Sequence, residues 1–101
     1  MEEQAIIIVF NYGLTDLEPF YDLSSKLDSI VEDSGLGEYD GHEMAVDYSD
    51  GSFYIYGPDA VKLYEVIKPV IESTSFMKGA NIKLRFGPPE DGVQETNFIV
   101  S

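Results

Sequence analysis

The residues best suited to chemistry in this chain of 101 are Asp40, His42 and Glu43. An imidazole beside carboxylates can serve as a general acid or base, or as a metal ligand. His42 is the only histidine, and Tyr39 and Tyr48 lie in the same stretch. A known short metal motif needs two histidines or several carboxylates at fixed spacing, and here only one histidine exists. Strand alternation also sends His42 and Glu43 to opposite faces unless a bulge at Gly41 intervenes. Tyr39, Asp40, His42, Glu43 and Tyr48 therefore define one reading, a small enzyme or ligand-binding protein with its site at the 39–56 hairpin. Other chemistry is harder to place. There is no cysteine, and no serine sits in a nucleophile-elbow context. Gly35-Leu36-Gly37 follows a helical pattern, so it stops a helix instead of cradling a phosphate. Neither a metal nor a cofactor is expected.

These residues need elements to hold them. Gln4–Tyr12 is apolar at consecutive positions and rich in β-branched residues, the mark of a central strand. Thr15 with Glu18 reads as a capping box, and Pro19 suits the first turn of a helix. Phe20, Leu23, Leu27, Ile30 and Val31 then recur at helical spacing, and Gly35 and Gly37 end the run. Met44, Val46 and Tyr48 alternate as a strand, Asp50-Gly51 carries a turn signal, and Phe53–Tyr56 returns. Gly57-Pro58-Asp59 opens a second helix striped by Ala60, Leu63, Ile67, Val70 and Ile71, with Pro69 expected to kink or end it. Ala80–Phe86 alternates cleanly, the segment 87–92 is a loop, and Val93–Val100 is a last strand.

This order predicts a single α+β domain over 1–101, a ferredoxin-like β-α-β-β-α-β sandwich with an extra C-terminal edge strand. Its two helices lie on one face of a largely antiparallel sheet. If Ile6, Ile8 and Phe10 face the helices, then Ile7 and Val9 face away, joined by Tyr54, Tyr56, Lys83 and Arg85. An apolar, tyrosine-bearing face of that kind is a contact surface by default. The second reading is thus a noncatalytic interaction domain that forms a homodimer through the sheet face or uses it to bind a partner.

Charge narrows the partners. The net charge is −13, with thirteen acids against one base, Lys26, in residues 1–50, and six acids against five bases in residues 51–101. Nucleic acid and anionic membrane need Lys and Arg to displace counterions, so this field excludes both. Tyr54 and Tyr56 resemble the stacking aromatics of an RNA-recognition motif, but Asp50 stands where that signature begins with a base. A basic protein fits the acidic half instead. The acidic start and the short apolar run Ala5–Phe10 predict neither a secretory leader nor a membrane span, and the lack of cysteine favours the cytoplasm.

The words EYDGHE (38–43), DGSFYIYGPDA (50–60), FMKGA (76–80) and LRFGPPEDG (84–92) resemble those of a group of small acidic bacterial proteins. The segment running from the first helix through EYDG to the hairpin is similar, more loosely, to the regulator of ribonuclease activity B family. That likeness implies a ferredoxin-like, acidic, cytoplasmic protein acting as an inhibitor or adaptor by protein contact. It carries over no catalytic residue.

Overall fold

A computed structural model describes residues 3–88 and 90–100. Met1 and Glu2 of the acidic start, and Pro89 of the 87–92 loop, lie outside the described residues. The elements are β1 (Gln4–Asn11), α1 (Glu18–Ser34), β2 (Glu38–Met44), β3 (Asp50–Gly57), α2 (Ala60–Ser73), β4 (Asn81–Arg85) and β5 (Glu95–Ile99), with a 3-10 turn at Ser75–Met77. The chain is α+β, and its five strands form one sheet in the order β2-β3-β1-β4-β5. Every neighbouring pair is antiparallel.

The apolar run of β1 accounts for its place between β3 and β4. Ile6, Ile8 and Phe10 are buried with Phe53 and Ile55 of β3 and with Ile82 and Leu84 of β4. Phe20, Leu23, Leu27 and Val31 of α1 and Ala60, Leu63, Ile67 and Ile71 of α2 complete the same cluster. Both helical stripes therefore cover one face of the sheet. An aromatic knot ties this layer together, with Phe53 stacked 5.1 Å from Phe10 and 5.4 Å from Phe20 between ring centroids. At the far edge Phe98 of β5 meets Tyr64 of α2 edge-on at 5.2 Å.

Several local expectations are corrected. Thr15 does not cap α1; the Asp16 carboxylate accepts the Glu18 N–H at 2.9 Å, and Pro19 follows within the first turn. Gly35 does end that helix, in the left-handed conformation at φ 67°. Asp59 caps α2 by accepting the Lys62 N–H at 3.1 Å. Pro69 does not end α2, which continues to Ser73. Pro69 lies on the exposed side, where water can replace the donor it lacks.

The largest difference is in the hairpin. Met44 ends β2, residues 45–48 are not a strand, and Val46 is fully exposed. Instead the Tyr48 N–H closes a turn onto the Ala45 carbonyl at 2.9 Å, with Tyr48 left-handed at φ 61°. Asp50-Gly51 lies inside β3. A Cβ on Gly51 would stand 2.8 Å from the Phe10 ring and 2.9 Å from the Glu43 carbonyl, so this glycine serves close packing and not a turn. The bulge expected at Gly41 is present: the β2–β3 register shifts between Tyr39 and Gly41, and Gly41 has φ 134°.

Candidate functional site

The bulge decides where the hairpin's polar side chains go. Tyr39 is opposite Ile55 and His42 is opposite Phe53, so both lie on the helix side. The Tyr39 hydroxyl shares a 2.6 Å hydrogen bond with the Ser24 hydroxyl of α1, and burial raises the phenol pKa. The His42 ring is exposed and sits edge-on to Phe20, with centroids 4.8 Å apart. Tyr48 packs against the core from its turn. Glu43, opposite Ser52, faces the other side of the sheet, where its carboxylate is 3.4 Å from the Tyr54 hydroxyl. Asp40, the extra residue of the bulge, is near enough to Tyr56 to help raise that phenol's pKa, after burial. The structure thus divides Tyr39, Asp40, His42, Glu43 and Tyr48 between two faces and brings no carboxylate into hydrogen-bond contact with His42 among the described residues. Nor do His, Asp and Glu gather in a group of three that could hold a metal, among the same residues.

The residues expected on the open face do come together. Across the β1 ladders Ile7 is opposite Tyr54 on one side and Lys83 on the other. Ala5 is likewise flanked by Tyr56 and Arg85, and Val9 by Ser52 and Asn81. Since both helices pack on the other face, this one is left without a helix over it among the described residues. Val9 is 46 % exposed, a large value for valine in a central strand. Arg85 is anchored by its Nε–H to the Gly87 carbonyl at 2.8 Å.

Beside Val9 the face dips into an open groove of about 290 Å³ lined by Glu43, Asp50, Ser52 and Tyr54 among others. Ser52 is almost wholly buried there, and its hydroxyl donates to the Tyr54 oxygen at 3.0 Å. Tyr54 in turn reaches Glu43, so this chain of hydroxyls orients the phenol on the face. Asn81 shares the face as its alternation with Lys83 and Arg85 implies, and Ser52 and the exposed Ile99 belong to it although the sequence did not single them out. Alternation along β3 and β5 was the signal that could have found them.

Most of the acid around this surface lies opposite the bases, although Glu95 on β5 stands beside Arg85. The edge strand β2 carries Glu38, Asp40 and Glu43, and the exposed side of neighbouring α1 carries Asp22, Asp28, Glu32 and Asp33. Lys83 and Arg85 stand on β4, beyond β1. No helix among the described residues is long and apolar enough to cross a membrane. A scan against protein-family models found no match, and neither did a search of curated proteins.

Proposed function

We propose that this protein is a noncatalytic interaction or regulatory domain of the cytoplasm, built on the ferredoxin-like plan with β5 as an added edge strand. It acts as an inhibitor or adaptor for a basic partner protein. The strand order and the two helices on one face support the plan. The likeness to the regulator of ribonuclease activity B family points to the same class of role.

One observation carries the partner's sign. Glu32 and Asp33 occupy the last turn of α1, which has no basic residue. The helix dipole opposes anions there by about 0.3–1 kcal/mol each. Placing acid where it costs stability leaves an anionic helix surface for a cationic partner to meet. A pull-down at low and high salt tests this. The wild type should retain a basic protein at low salt and release it at high salt, while the double variant Glu32→Lys, Asp33→Lys retains none. Retention unchanged by the double variant would remove the reading.

A further inference from the structure

We propose that the open sheet face docks on the same face of a second copy, about a twofold axis that runs along the strands between β1 and β3. The inference rests on reading this face as a contact surface and names its occupant. The ladder registers fix where each side chain stands. From β2 to β5, one row holds Glu38, Tyr56, Ala5, Arg85 and Glu95. The next holds Gly41 with Asp40 beside it, then Tyr54, Ile7, Lys83 and Asn97. The third holds Glu43, Ser52, Val9, Asn81 and Ile99. The β2 acids Glu38, Asp40 and Glu43 therefore lie to one side of the β1–β3 pair and both β4 bases lie to the other, at equal strand spacing from it, while Glu95 on β5 lies outside the overlap.

That spacing makes the face complementary to itself. Rotation about the stated axis lays β2 on β4 and β3 on β1 of the other copy. Glu38 then meets the partner's Arg85, Asp40 meets the partner's Lys83, and Tyr54 covers the partner's Ile7. Each contact occurs twice, as a closed two-fold interface requires. A twofold running across the strands would instead lay β2 on β2 and β4 on β4, setting like charges against each other. Charge thus selects between the two aligned ways of stacking the sheets. The anchored Arg85 guanidinium arrives already ordered, which lowers the entropy lost on docking. Strand spacings of about 4.8 Å and rises of about 3.4 Å give a patch of roughly 20 by 25 Å, or about 1,000 Å² over both copies, at the lower limit for specific association. The dimer is therefore weak and concentration-dependent, and the acids of α1 stay outside it, free for a basic partner.

Sedimentation velocity over a concentration series tests the arrangement with the full chain. The wild type should dimerise reversibly. Asp40→Lys alone and Lys83→Glu alone should each weaken the dimer by about tenfold or more through like-charge contacts made twice. An equimolar mixture of the two variants should recover the wild-type affinity, because the reversed charges then face each other across the interface. Recovery on mixing also shows that both variants are folded. A wild type that stays monomeric throughout, or variants that fail to complement, would overturn the inference. If the wild type is monomeric yet Glu32→Lys, Asp33→Lys still abolishes capture of a basic protein, the proposed function stands without the dimer. If complementation succeeds and no basic protein is captured, the dimer stands without that function.

Discussion

Ser24 of α1 and Tyr39 of β2 are joined hydroxyl to hydroxyl at 2.6 Å. Their bond pins the acidic helix to the acidic edge strand, so the two form one flank. Tyr39→Phe should cost about 1 kcal/mol, the ordinary net worth of such a bond, and loosen that flank. Urea unfolding of the two proteins measures the difference.

The same tyrosine sets a pH limit. Burial raises its pKa above 10.0, as it also does for Tyr12, Tyr56 and Tyr64. The folded chain then holds the phenol protons more tightly than the unfolded chain. Their contribution to stability is complete below pH 10 or so and is lost as pH rises through the higher folded values. Melting temperature should fall with rising pH in that alkaline range, and less steeply in Tyr39→Phe. A flat profile in the wild type would contradict the burial of these rings.

Gly51→Ala should be destabilising although alanine suits β3 no worse than glycine. The added methyl meets the Phe10 ring at 2.8 Å and the Glu43 backbone at 2.9 Å, and a backbone atom cannot step aside alone. Overpacking of this kind costs about 1–3 kcal/mol. Thermal unfolding should show the loss, and Gly51→Ala should cost less in a Phe10→Leu background, which relieves one of the two clashes, than in the wild type.

Phe53→Ala should do greater harm. Phe53 is fully buried between Phe10, Phe20 and the strands, so its removal leaves a cavity at the centre of the aromatic knot. Truncating a core phenylalanine costs about 3–5 kcal/mol, a large share of the stability of a domain this small. His42→Ala, by contrast, removes an exposed ring and should shift stability by about 1 kcal/mol or less.

Glu32→Lys with Asp33→Lys should move stability and binding in opposite directions. Reversing both charges turns an unfavourable dipole contact into a favourable one, a gain of about 0.5–2 kcal/mol in total. The same change should abolish capture of a basic partner. Calorimetry beside the pull-down separates the two effects.

Much of this fold was legible because local and long-range preferences agree. The Ile6–Val9 run placed β1 centrally, Gly35 ended α1, and Asp59 after Pro58 opened α2. The hairpin was not legible for a tertiary reason. Asp50-Gly51 has the look of a turn, but the Phe10 ring packing over Gly51 draws it into β3. The actual turn ends on Tyr48, a residue with no local preference for its left-handed backbone. Alternation was enough to put Ile7, Val9, Tyr54, Tyr56, Lys83 and Arg85 on one face. It could not say which of them are neighbours, because register depends on pairing between distant segments. That register is what reveals the acids of β2 and the bases of β4 at matching distances from the β1–β3 pair.

Methyl NMR on selectively labelled isoleucine and valine tests the central claim most directly. Ile7 and Val9 alternate on β1 with Ile6 and Ile8, which are fully buried beneath the helices. As protein concentration rises, the Ile7 and Val9 methyl signals should move progressively while those of Ile6 and Ile8 stay in place. Signals from Ile7 and Val9 that hold still across the whole concentration range, both alone and with a basic protein added, would contradict the account.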